Sequence, residues 1–243
     1  LNGLFNKSMF VEYILDFTLF QNKRDGVVKI IAGYHQYHAA KASLQRTIEE
    51  VSQSGRGKIG VIWHTQGSGK SLTMTFLTGL IARDKSLNNP TVIVVTDRKD
   101  LDGQLFTTFD ASKEYLRQEP VRIEDKNDLI SQLSGKKYGG VIFSTIQKFL
   151  PNEKDTKMEL LSDRTNIIIM ADEAHRSQYD MLDGFAAHLN DAFPNASFIG
   201  FTGTPISFED RDTRGVFGDD ISIYDLKKSI EDNSTVNLYY CLL

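Results

Sequence analysis

The stretch Ile59-Gly60-Val61-Ile62-Trp63-His64-Thr65-Gln66-Gly67-Ser68-Gly69-Lys70-Ser71 decides the fold. A short apolar run ends at Trp63, a glycine-rich turn follows, and Ser71–Arg83 reads as a helix. This is the strand–loop–helix setting of a phosphate-binding loop, whose pattern is Gly, four residues, then Gly-Lys-Ser/Thr. Gly69, Lys70 and Ser71 match it, and His64 stands where the first glycine is expected. The physics tolerates that exchange. Gly67 and Gly69 permit the turn that aims successive N–H groups inward, and the helix adds its positive N-terminal end. Thr65, Gln66, Gly67, Ser68 and Gly69 then wall the phosphates of a nucleotide, Lys70 reaches the β- and γ-phosphates, and Ser71 holds Mg²⁺. The competing reading is a glycine-rich turn with an incidental Lys-Ser pair.

Outward from this loop, apolar runs recur at Thr91–Thr96, Gly140–Thr145, Ile167–Ala171 and Ser197–Thr202. They are rich in β-branched residues and almost continuously apolar, as strands buried on both faces are. Helical stretches separate several of them, at Leu101–Phe109, Asp128–Leu133 and Tyr179–Ala192. The alternation predicts an α/β domain with a mainly parallel sheet flanked by helices. Ligands of such sheets bind beyond the carboxyl ends of the strands.

Upstream, Ala39–Gln53 reads as a helix with Leu44, Ile48 and Val51 on one face. Leu4–Phe20 is expected to form an amphipathic helix with Phe10, Ile14 and Phe17 at helical spacing, packed on a surface either within the chain or outside it. Its acids Glu12 and Asp16 argue against a signal peptide. The polar break Gln21–Gly26 is a plausible boundary. Both ends read as cut, and Tyr239–Leu243 resembles a strand entering a further element.

Composition sets bounds. The 243 residues hold 28 Lys and Arg against 32 Asp and Glu, a formal net charge of −4. The length suits one large domain or one domain with appendages. The single cysteine, Cys241, excludes an internal disulfide and a four-cysteine zinc site. No apolar run reaches the roughly 18 residues of a membrane span. The acidic balance lacks the basic footprint of a stand-alone nucleic-acid binder.

A second acid-bearing motif follows the run Ile167–Ala171: Asp172-Glu173-Ala174-His175. An aspartate at the end of a buried strand is the usual partner of a phosphate loop in binding Mg²⁺. A glutamate beside it can orient and polarise an attacking water. Alternatively the two acids begin a helix and complement its dipole.

Asp172-Glu173-Ala174-His175 together with Thr202-Gly203-Thr204-Pro205 resembles helicase superfamily 2. Val94-Val95-Thr96-Asp97-Arg98-Lys99-Asp100-Leu101-Asp102-Gly103-Gln104 resembles its motif Ia, Ser144-Thr145-Ile146-Gln147-Lys148-Phe149 the motif after it, and Tyr34-His35-Gln36-Tyr37 an adenine-reading Q motif. As a set, with the phosphate loop and the residues Arg176-Ser177-Gln178, these resemble the restriction (motor) subunits, HsdR, of type I restriction–modification enzymes. The resemblance runs from Leu4 to Tyr240.

It implies the first RecA-like domain of a P-loop ATPase over residues 27–218, a short helical connector over 1–26 from a nuclease domain, and a transition over 219–243 towards a second RecA-like domain. Gln36 would read adenine, and Lys70, Asp172 and Glu173 would carry ATP hydrolysis, with Mg²⁺ on Ser71 and Asp172. Thr96, Arg98 and Thr145 would lie along the DNA path, and Thr202, Gly203 and Thr204 would couple it to the nucleotide. The implied partners are duplex DNA and the modification and specificity subunits, in a bacterial or archaeal cytoplasm with no membrane. The family's arginine finger lies in the second domain, so these 243 residues alone are expected to bind ATP weakly and hydrolyse it very slowly.

Other polar residues receive plainer readings. His35 and His38 find no third metal ligand and read as helix-surface or interdomain residues. His64 orders the phosphate loop or packs beside it, and Trp63 fills the core. Lys136-Lys137 reads as a solvated turn, and Arg98 either meets DNA or pairs with Asp97 or Asp100. His175 either bonds towards Thr202–Thr204 or faces solvent. The rival functions are another nucleic-acid motor (a remodeller or an RNA helicase), a nucleotide switch without a polymer substrate, and a non-enzymatic scaffold.

Overall fold

The computed structural model describes residues 5–23, 26–52, 57–96, 99–135, 138–149, 158–172, 182–203 and 211–235. The elements are α1 (Lys7–Asp16), β1 (Thr18–Lys23), β2 (Gly26–Ile31), α2 (Tyr34–Ser52), β3 (Lys58–His64), α3 (Lys70–Arg83), β4 (Thr91–Thr96), α4 (Lys99–Asp110), α5 (Lys113–Leu116), β5 (Pro120–Arg122), α6 (Lys126–Gly135), β6 (Val141–Thr145), β7 (Ile167–Ala171), α7 (Leu182–Ala192), β8 (Ser197–Thr202), α8 (Arg211–Phe217), β9 (Asp220–Tyr224) and α9 (Leu226–Glu231).

Seven strands form one sheet in the order β5-β6-β4-β7-β8-β3-β9, and every neighbouring pair is parallel. Strands β4, β6, β7 and β8 are buried at every position, which accounts for their continuous apolar sequence. Successive side chains still alternate between two cores. Val92, Val94, Ile168, Met170, Ile199 and Phe201 pack in one core with Phe76, Leu77 and Ile81 of α3. Ile93, Val95, Ile167, Ile169 and Phe198 pack in the other with Leu129 of α6, Leu189 of α7 and Phe217 of α8.

The N-terminal segment departs from expectation. Asn6 caps α1 by accepting from Ser8 N at 3.0 Å and Met9 N at 3.4 Å, but the helix stops at Asp16. Thr18–Lys23 and Gly26–Ile31 instead pair as antiparallel strands, β1 on β2. Thr18, Phe20, Val27, Val28, Ile30 and Ile31 are strand formers, and their local preference wins over the helical spacing of three earlier apolar positions. The support for α1 also lies within the chain. Phe17 is fully buried, 4.6 Å from the Tyr37 ring and 5.8 Å from that of Phe76, a burial of roughly 1.5–3 kcal/mol. Arg83 pairs with Asp16 at 3.2 Å. Phe10 and Ile14, the other two residues of the expected face, are exposed.

Gln21, read as part of a polar break, is buried and donates to Ser112 Oγ at 3.1 Å. The helix expected from Ala39 begins at Tyr34 instead. Strands β5 and β9 were not expected. The first has three residues and the second is a half-exposed edge. Trp63 is half-buried rather than a filler of the core. Among the described residues no helix is long and apolar enough to cross a membrane.

Candidate nucleotide site

The sheet order gathers the motifs at one edge. Thr145 ends β6 and pairs with Thr96, which ends β4. Val95 is level with Ala171 of β7, and Asp172 follows it, its N–H donating to the Val95 carbonyl at 2.9 Å. Thr202 ends β8 level with Trp63, and His64 ends β3 level with Tyr224 of β9. Residues scattered along the sequence thus form one row at the carboxyl ends of parallel strands, beyond which such sheets bind ligands.

The phosphate loop crosses this row. Gly69 caps α3 in the left-handed region, φ 82° and ψ 36°, and Gly67 has φ 81°. That φ strains any residue with a Cβ, and a Cβ at Gly69 would also displace the Gln36 amide, 2.6 Å away at Nε2. The first turn of α3 presents N–H groups that the helix does not use internally. Ser68 is buried, and its hydroxyl donates to the Thr65 carbonyl at 2.6 Å. Thr65 is half-buried and Gln66 exposed. Lys70 reaches back to the His64 carbonyl at 3.3 Å. Ser71 lies in the first turn of α3, half-buried.

Gln36 is buried against the loop. Its Nε2 donates to the Gly69 carbonyl at 3.0 Å, and its Oε1 accepts from Gly33 N at 2.8 Å. His35 Nε2 donates to the Ser68 carbonyl at 2.9 Å, so the ring packs against the loop. His38 is exposed. His64 is fully buried, with Nε2 2.9 Å from Ser222 Oγ. Burial pushes its imidazole down to about 3, with the charges of His35 and Lys70 adding to the effect. The residue in the place of the first glycine is therefore a neutral ring beneath the loop.

Thr96, Thr145 and Thr202 are all buried, and the Thr96 hydroxyl has no partner among the described residues. Gly203 lies against the phosphate loop: a Cβ built there would sit 2.8 Å from Lys70 Nζ and 3.2 Å from Gln66 Cγ. The segment after β8 and the loop after β3 are therefore in direct contact. Arg98, Glu173 and Thr204 lie outside the described residues, as do His175 and Lys136-Lys137.

The donor set suits a triphosphate with a divalent cation. It holds an ammonium, unused helix N–H groups, a hydroxyl at Ser71 and a carboxylate at Asp172, with Gly203 leaving room beside Lys70. Sequence reasoning missed Ser222 and Tyr224 on the edge strand β9. Their only signal was a five-residue alternation, Asp220-Ile221-Ser222-Ile223-Tyr224, too short to stand out.

The family model for the SWI2/SNF2 ATPase matches residues 35–242. The chain is 49% identical over 250 residues to the HindI type I restriction enzyme endonuclease subunit of Haemophilus influenzae, covering 99% of this chain and 24% of that one. It is 30% identical over 222 residues to a type I restriction enzyme endonuclease subunit of Staphylococcus aureus, covering 88% of this chain and 22% of that one. The chain thus spans about a quarter of the length of these curated relatives. Among solved structures, the ATP-dependent type ISP restriction-modification enzyme LlaBIII bound to DNA superposes with a TM-score of 0.55 at 11% identity, over 86% of this chain and 16% of that one. That last likeness concerns the fold.

Proposed function

Since the chain belongs to the SWI2/SNF2 ATPase family and is homologous along its length to type I restriction endonuclease subunits, we propose that it is the ATP-binding motor domain of such a subunit. ATP hydrolysis in it drives translocation along duplex DNA and leads to cleavage in the complete complex. The observation that carries this reading is the contact of Gly203 with Lys70, which joins the coupling segment to the phosphate loop.

In this reading Lys70 neutralises the β- and γ-phosphate oxygens, and the N–H groups of residues 67–71 hold them in place. Gln36, already fixed to the loop, reads the adenine edge. Ser71 and Asp172 would hold Mg²⁺, which when bound withdraws charge from the phosphate oxygens. Glu173 orients a water for in-line attack on the γ-phosphorus: the new P–O bond forms as the bond to the β-phosphate oxygen breaks. Positioned charge supplies most of the rate. Thr96, Arg98 and Thr145 are assigned to the DNA path, and Thr202, Gly203 and Thr204 to the transmission of nucleotide state to it. A second RecA-like domain contributes the arginine finger, and the modification and specificity subunits complete the cytoplasmic assembly. The 243 residues alone therefore hydrolyse ATP about 10³–10⁵-fold more slowly than the complete motor.

The test is the ATPase rate of the full-length protein with duplex DNA or RNA added. Stimulation by duplex DNA supports the motor reading. Stimulation by RNA alone favours an RNA helicase, and indifference to both favours a nucleotide switch.

A further inference from the structure

One polar cluster beside the phosphate loop has no part in the hydrolysis chemistry. Tyr34 opens α2, Tyr224 closes β9, and both hydroxyls donate to the same oxygen of Asp232, just beyond α9, at 2.6 Å and 2.8 Å. Tyr34 and Asp232 stand 198 residues apart. The Tyr224 hydroxyl also lies 3.2 Å from Ser234 Oγ. The two hydroxyl donors hold the Asp232 carboxylate below its usual range, and the bond to Asp232 pushes the Tyr34 phenol up to about 12.

Tyr224 in turn touches the phosphate loop in two ways. Its carbonyl accepts from Thr65 N at 2.9 Å. Its ring stacks on His35, with centroids 4.0 Å apart and planes 7° from parallel, and His35 donates to the Ser68 carbonyl at 2.9 Å. The limb of the loop before Gly69 is thus held at Thr65 and Ser68 by one tyrosine. That limb contains Gly67, whose backbone has many other conformations open to it. A loop fixed in its binding shape before the ligand arrives gives up less conformational freedom on binding.

We propose that Tyr34, Asp232 and Tyr224 form a clasp that holds His35 against the phosphate loop and so sets affinity for ATP. It rests on the reading of that loop as the nucleotide site. These are positioning residues: Asp232 fixes Tyr224, Tyr224 fixes His35 and Thr65, and those two fix the loop. The clasp also links ATP affinity to the segment around Asp232. A movement that draws Asp232 away weakens ATP binding, and ATP binding resists that movement to the same extent.

The experiment titrates the full-length protein with a fluorescent ATP analogue and measures KM and kcat for ATP. Asp232→Ala is expected to raise Kd and KM about fivefold, and Tyr224→Leu about tenfold or more, with kcat falling less than KM rises. Tyr224→Phe keeps the stack and the backbone contact but loses the hydroxyl bond to Asp232, and should weaken binding about as much as Asp232→Ala does, about fivefold. Tyr34→Phe, at an exposed position where misfolding is no concern, should weaken binding about twofold to fourfold. Unchanged Kd in Asp232→Ala and Tyr34→Phe overturns the clasp, as does a fall in kcat with KM unaltered. Lys70→Ala is the separate control. If it binds ATP as wild type does, the nucleotide-site reading fails and the clasp with it. If it binds poorly while the clasp variants bind normally, only the clasp fails.

Discussion

At the amino ends of β4 and β7, Arg164 donates to Thr91 Oγ1 at 2.8 Å and to Asn166 Oδ1 at 3.0 Å. The Thr91 hydroxyl donates to the Gly139 carbonyl at 2.9 Å, and Asn166 Nδ2 to the Asn88 carbonyl at 3.3 Å. At the carboxyl ends of β4 and β3, Thr96 Oγ1 and His64 Nδ1 are buried and have no partner among the described residues. A buried polar atom left unpaired costs about 1–3 kcal/mol. Strand β4 therefore ends in a satisfied network on one side and in an unsatisfied group on the other; the contrast is not sheet-wide, since Asp220 Oδ1, at the amino end of β9, also has no partner among the described residues. Selection for stability alone would favour pairing both ends, so the unpaired end is where chemistry has a claim on the residues.

The largest expected effect that sharpens this contrast is at Lys70. Lys70→Ala should lower ATP turnover and translocation by about 10²–10³-fold or more. Stability should barely change, since among the described residues the ammonium's bond is a 3.3 Å one to a carbonyl. Turnover assays beside thermal melts check this, and retained turnover breaks the assignment.

His64 comes next. Its folded-state value is about 3 against the ordinary 6.5, so the unfolded chain takes up a proton that the folded chain refuses. The contribution to stability is complete above pH 6.5 and is lost as pH falls towards 3, at up to about 1.4 kcal/mol per pH unit. Urea midpoints from pH 7 to 4 should fall less steeply in His64→Gln.

Arg164→Ala should destabilise the fold by about 1–3 kcal/mol, because it leaves Thr91 and Asn166 without a partner they now have. KM for ATP should not move, and a shift in it would dissolve the contrast between the two ends. The smallest effect is expected for Thr96→Val. It removes a buried hydroxyl without a described partner and should therefore raise stability by about 1 kcal/mol, the low end of that cost, read as a higher urea midpoint. DNA-stimulated turnover should nevertheless fall.

What was legible in the sequence was what burial writes into it. Strands β3, β4, β6, β7 and β8 are apolar because both faces are covered, and each was found to within a residue or two. The phosphate loop was legible because Gly67, Gly69, Lys70 and Ser71 are required by local geometry. Strand β5 starts at Pro120 and spans three residues, and β9 is an edge with Ile223 exposed, so neither carries that signature. The pairing of β1 with β2 was obscured because Phe17 suits the spacing of a helix as well as the foot of a strand. The bonds of Gln36 to Gly33 and Gly69, and the meeting of Tyr34 with Asp232, depend on tertiary folding and leave no local trace.

The place of β3 in the sheet also bears on how the protein is made. Both neighbours of β3 come from the far end of the chain, β8 at Ser197–Thr202 and β9 at Asp220–Tyr224. On the ribosome, the strand that carries the phosphate loop waits for roughly 130 residues of further synthesis before it can pair, about 7–25 s at common elongation speeds. During that interval an apolar segment with two open edges is exposed to other nascent chains. Chaperone dependence in the newborn protein should therefore concentrate on Lys58–His64, the element on which the finished site depends most.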